Sequence, residues 1–68
     1  MTRRDLRVRL AMLGKKNVDV LAALEERGID ISASQFCAAF QPESNAPRQI
    51  QIREETDRII AKWESETA

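Results

Sequence analysis

Residues 31–41 read Ile31-Ser32-Ala33-Ser34-Gln35-Phe36-Cys37-Ala38-Ala39-Phe40-Gln41, and Pro42 follows at once. Ser32 and Gln35 have the S-x-x-Q spacing of a capping box, in which each side chain satisfies a backbone amide that a helix start leaves unpaired. That spacing predicts a short helix over 33–41, ended by a proline that has no amide proton to give. Phe36 and Phe40, four apart, share one face and anchor the helix to a core. Ala33, Ser34, Ala38 and Ala39 are small, so the backbone can come close to a partner on the other side. Cys37 reads as a small buried apolar residue, because the chain has no His and no second Cys to activate it or share a metal.

Toward the N-terminus, Ile29-Asp30-Ile31 is too short to be an element and reads as a tight turn whose two isoleucines tuck against the core. Arg27-Gly28 before it is a helix-ending signal. Asn17 is a good N-cap, and Val18, Leu21, Ala22 and Leu24 supply a stripe, so a helix is expected over about 18–27, with Asp19 placed well for the dipole. Thr2-Arg3-Arg4-Asp5 is a capping box with Asp in place of Glu. Leu6, Leu10 and Leu13 then repeat at helical spacing, with Val8, Ala11 and Met12 widening the stripe, and Gly14 offers a left-handed stop. The first helix is expected over 3–13. Toward the C-terminus, Gln41 to Pro47 is a polar, proline-flanked loop. A longer helix is expected over 47–65, with Ile52, Thr56, Ile59, Ile60 and Trp63 on one face and Glu54 paired with Arg58 on another. The expected fold is one all-α domain of four helices over residues 1–68, arranged as a helix-turn-helix.

At residues 31–41 the chain resembles the recognition helix of lambda-repressor and Cro-like DNA-binding domains: an aliphatic residue, a Ser cap, a few small or polar residues and a buried aromatic. Lys16-Asn17-Val18-Asp19-Val20-Leu21-Ala22 is similar to the start of their second helix, and the Arg-rich first helix and Trp-containing last helix suit short prophage or mobile-element versions. Two departures bear on the site. Val18 stands where the family commonly has a phosphate-binding Gln, and Gln41-Pro42 replaces an Asn-Gly helix end. The resemblance implies that Ala33, Ser34 and Ala38 face bases in the major groove, with Gln35 and Gln41 nearby. It also implies that Lys15, Lys16, Asn17 and Arg48 lie by the phosphate backbone.

Composition bounds the alternatives. Sixty-eight residues make one small domain and exclude a two-domain enzyme. Without His or Tyr, and with two Gly and one Cys, the chain lacks the parts of a zinc site, a catalytic triad, a disulfide framework or a glycine-rich phosphate cradle, so no cofactor, small-molecule substrate or catalysis is expected. No secretory pattern is present, which makes the cytoplasm the expected compartment. The longest uncharged run, Ile31 to Pro42, is far shorter than the roughly twenty residues of a membrane span. Eleven cations balance eleven carboxylates, yet residues 1–16 carry +5 and residues 17–47 carry −4. That polarity would orient the domain on a phosphate backbone.

Several positions admit two readings. Gln35 is a cap or a base contact, Ser34 a groove contact or an exposed serine, and Lys15 and Lys16 phosphate ligands or a solvated pair at a helix end. Arg3, Arg4, Arg7 and Arg9 read as a solvated face or as an arm grazing the DNA backbone. Trp63, with Ile59 and Ile60, is core or a homodimer surface. The expected function is sequence-specific binding of double-stranded DNA, as a homodimer on two half-sites, regulating transcription by operator occupancy. The alternative is a helix-turn-helix scaffold serving as a protein-interaction module, favoured by the lack of any Lys or Arg on the third helix.

Overall fold

The computed structural model describes residues 2–43 and 45–67; Ser44 of the polar loop, with Met1 and Ala68, lies outside the described residues. Four helices follow in order, α1 (Arg3–Leu13), α2 (Asn17–Glu26), α3 (Ala33–Ala39) and α4 (Pro47–Thr67), and no strand is present among the described residues.

The starts of α1 and α3 are set by a reciprocal local hydrogen-bond exchange, and that of α2 by a single bond of the same spacing. At α1 the Thr2 hydroxyl accepts from the Asp5 amide at 3.1 Å while the Asp5 carboxylate accepts from the Thr2 amide at 3.0 Å. The same exchange joins Ser32 and Gln35 at α3. At α2 the cap falls one residue earlier than expected. Lys16 is the N-cap, and the Asp19 carboxylate accepts its amide at 2.8 Å. An acceptor three residues on decides this, because capping at Asn17 would have put Val20 in that place. Gly14 and Gly28 both adopt positive φ, where a Cβ is disfavoured. After each, the chain turns back to donate to the preceding helix, Lys15 to the Leu10 carbonyl and Ile29 to the Leu24 carbonyl.

The other ends differ from expectation in an instructive way. α3 stops at Ala39 rather than 41, with Phe40 as its C-cap, since Pro42 biases Gln41 away from helical backbone. α4 runs on to Thr67, whose hydroxyl donates to the carbonyls of Trp63 and Glu64 and so occupies acceptors that the last turn leaves open.

α4 packs against all three other helices, and α2 packs against α3. Its buried face is Ile52, Thr56, Ile59 and Ile60. Against it lie Leu6 and Leu10 of α1, Val20 and Leu24 of α2, and Phe36 and Ala39 of α3, with Ile29 and Phe40 closing the ends. Among the described residues Thr56 is the one buried polar side chain, and its hydroxyl donates to the Ile52 carbonyl at 2.7 Å, so the core holds no unpaired polar group. Trp63, Leu13, Leu21, Ala23 and Ile31 seal the edges.

Of the two readings open to Ile59 and Ile60, core and homodimer surface, the core one holds: both are interior, 3% and 0% exposed. Three expectations about faces are corrected. Ala39 points inward. Val8 and Met12 do not widen the α1 stripe; Met12 is 84% exposed. On α2 the inward residues are Val20 and Leu24, while Val18 is 66% exposed. The run Val-Asp-Val-Leu-Ala-Ala-Leu is apolar on several sides, and contact with α4 selects which side turns in.

Ion pairs join α4 to its neighbours. Arg9 forks onto both Glu64 carboxylate oxygens, at 3.1 and 2.6 Å, and reaches Asp57 at 2.6 Å. Arg58 pairs with Glu55 rather than with Glu54, and Glu55 also accepts from Arg27 at 2.8 Å. Arg9's hydrogen bonds hold the Glu64 carboxyl below its ordinary range. A carboxyl lowered in the folded state adds stability that is complete above the ordinary carboxylate range and is lost as pH falls through the folded value.

Two outcomes follow. Ile60→Ala should remove about 2–5 kcal/mol of unfolding free energy, measured by urea titration. That is as much as a domain of this size commonly has, so a loss under about 1 kcal/mol would contradict the packing described. Between about pH 5 and about pH 3 the thermal midpoint of Glu64→Gln should fall less steeply than that of the unaltered protein, and parallel curves would show that the Arg9 fork is not formed.

Candidate nucleic-acid interface

α3 is seven residues long and bears no charge. Its inward edge is fixed by Phe36 and Phe40, whose rings meet edge to face with centroids 5.2 Å apart. A helix turns about 100° per residue, which puts Ser34 and Ala38 opposite the phenylalanines, Gln35 and Cys37 on the two flanks, and Ala33 at the exposed first turn beside Cys37. Ala33 and Ser34 are exposed and Cys37 and Ala38 half-buried. This surface is small, smooth and neutral, and its polar groups are the Ser34 hydroxyl and the Cys37 thiol.

Cys37 is therefore not the fully buried residue expected from its type. Gln35 lies at the margin of this surface, and its side-chain oxygen accepts the Ser32 amide at 2.9 Å, which commits that oxygen to the cap. Gln41 sits half-buried in the bend beyond the helix.

Two clefts flank α3. On one side Arg3 and Arg7 of α1 and Asn17 of α2 rim a cleft of about 150 Å³ whose α3 wall is Cys37 with the two phenylalanines. On the other side Gln35 and Ala38 face Arg48 and Gln49 of α4 across a cleft of about 290 Å³ that Asp30 also lines. The neutral face thus lies between cationic rims supplied by other helices. Asp30 weakens the rim on the Arg48 side.

The four residues expected at phosphates are not equivalent. Asn17 and Arg48 line these clefts, on opposite sides of α3. Lys16 is exposed at the α2 N-cap. Lys15 is engaged elsewhere: its ammonium lies 5.0 Å from the centroid of the Trp63 ring, a cation–π geometry at the α1–α4 side. Of the residues expected to form a dimer surface only Trp63 reaches solvent, half-buried beneath Lys15.

Arg3 and Arg7, which the sequence alone reads as a solvated face or an arm grazing the DNA backbone, are cleft residues. Their signal is visible afterwards as an i, i+4 pair bordering the Leu6–Leu10 stripe, on the edge that packing turns toward α3. Among the described residues no carboxylate pairs with either, in contrast to Arg9.

Among the described residues no helix is long and apolar enough to cross a membrane, and no His, Cys, Asp or Glu cluster could hold a metal ion. Comparison with known proteins finds no matching family model, no matching curated protein and no matching solved structure.

Because the Ser32–Gln35 exchange sets where α3 begins, Ser32→Ala should lower stability by about 1 kcal/mol in urea titration. An unchanged midpoint would mean that the cap does not hold the start of α3.

Proposed function

We propose that the protein is a helix-turn-helix DNA-binding domain of the lambda-repressor-like kind, which enters the major groove with α3 and regulates transcription by occupying its operator. The observation that carries this reading is the placement of a small, uncharged helix face between two cation-bearing rims. A groove helix must come within hydrogen-bond range of base edges while its neighbours hold the phosphates on each side.

In this reading Ala33 and Ala38 make close apolar contact, as with thymine methyl groups, and Ser34 offers a hydroxyl to either strand. Cys37 adds a further contact on the same face. Gln35 and Gln41 lie at its margins, Gln35 mainly as the cap. Lys16, Asn17 and Arg48 contact phosphates. No Lys or Arg on α3 can bond two guanine acceptors at once, so discrimination rests on shape and methyl contacts and is modest per base. Binding as a homodimer on two half-sites, in the cytoplasm, completes the proposal, and the second copy must use a surface other than Ile59 and Ile60.

A specific feature favours a second reading, a protein-interaction module without DNA binding: the neutral α3 beside Asp30. The two separate in fluorescence anisotropy with mixed-sequence duplex DNA at about 50 and about 200 mM salt. Binding that weakens steeply with salt is expected. Lys16→Ala with Arg48→Ala should reduce the slope of log K against log salt by about two. No binding at the lower salt overturns the DNA reading and leaves the interaction module.

A further inference from the structure

The +5 leading segment has no single destination. Arg9 is spent on Glu64 and Asp57, and Lys15 lies over Trp63. Arg3 and Arg7 have neither fate: they rim the cleft against α3, with Asn17 beside them. Beneath them the floor is apolar, formed by Leu6, Phe36 and Phe40, which are all buried. Two guanidinium groups four residues apart on one helix can both address one tetrahedral anion, and an apolar floor lowers the local dielectric and strengthens that attraction.

We infer that this cleft is a phosphate-binding site in which Arg3 and Arg7 hold one phosphate group, with the Asn17 side chain as a third donor and the Cys37 thiol at the wall. The ligand class is a phosphate monoanion or diester. A phosphodiester of duplex DNA fits best, because the cleft adjoins the outward face of α3 and would take the strand opposite the one met by Arg48. The choice of DNA as the source rests on the proposed function; the anion site itself does not. The site transfers the main backbone contact on that flank from the Lys15-Lys16 corner to the first two turns of α1.

Cys37 is the chain's one thiol, so its alkylation reports on the cleft. The test compares the full chain with Arg3→Gln/Arg7→Gln, whose altered side chains are exposed and whose fold is checked by circular dichroism. Two quantities are read: duplex affinity against salt, and the rate of Cys37 alkylation by iodoacetamide with and without duplex or inorganic phosphate. The expected result is that duplex slows alkylation in the unaltered protein and that the double variant's salt slope is smaller by about 1.8, roughly 0.9 per lost cation. Duplex binding with the same slope in both proteins overturns the site and leaves the groove reading standing. If no duplex binds, but inorganic phosphate slows alkylation in the unaltered protein alone, the site stands with free phosphate as its ligand and the groove reading falls. Neither binding nor protection by either ligand overturns both.

Discussion

The burial of one face of α4 is the constraint on which the rest of this structure depends. Ile52, Thr56, Ile59 and Ile60 are the surface that α1, α2 and α3 share. A chain this short has too little apolar area for two independent clusters, so every helix must spend its apolar stripe on the same partner. The polar exception in that face, Thr56, is tolerated because its hydroxyl bonds back to the Ile52 carbonyl within the helix. Once α4 takes Phe36 and Ala39 as the inward side of α3, the helix geometry leaves Ser34 and Ala38 facing out, with Cys37 on the flank and Ala33 exposed at the first turn. The candidate interface is thus a by-product of how the core is filled.

The same constraint sorts the cations. Arg9 lies on the side of α1 that approaches α4, where Asp57 and Glu64 take its three donors into a fork. Arg3 and Arg7 lie on the side that approaches α3 and meet no carboxylate among the described residues. One helix therefore contributes a structural ion pair and, from the same basic run, a cleft-lining pair that meets no carboxylate among the described residues. A net charge of zero conceals that division, because the segment sum counts Arg9 and Lys15 as freely as Arg3 and Arg7.

What was legible in the sequence was whatever is decided within a few residues. The Thr2–Asp5 and Ser32–Gln35 boxes, the stops at Gly14 and Gly28 and the start at Pro47 are local hydrogen-bond or dihedral matters, and they place α1, the start of α3 and the start of α4 correctly. The inward roles of Leu6, Leu10, Phe36, Phe40 and Ile52 follow from strong periodicity. Facing was lost where periodicity is ambiguous. α2 is apolar on several sides, so nothing local separates Val18 from Val20, and only contact with α4 does. Ile59 and Ile60 are adjacent and both apolar, a pairing that suits a surface patch as well as a helix wedged between several neighbours; the second is the case here. Residue type alone reads Cys37 as buried, whereas its angle, about 100° from Phe36 around the helix, puts it on the half-buried flank. The role of Arg3 and Arg7 needed the tertiary approach of α1 to α3, which no local rule supplies.

Under the proposed function, the outward face of α3 is the surface that meets DNA. Amide chemical-shift mapping of the isotopically labelled protein during titration with a short duplex at low salt tests it most directly. The largest changes are expected at Ala33, Ser34, Cys37 and Ala38, with Asn17 and Arg48 on the two flanks, while the amides of Ile59 and Ile60 stay in place. Changes centred on Val8 and Met12 or on the C-terminal half of α4, with α3 unmoved, would contradict it.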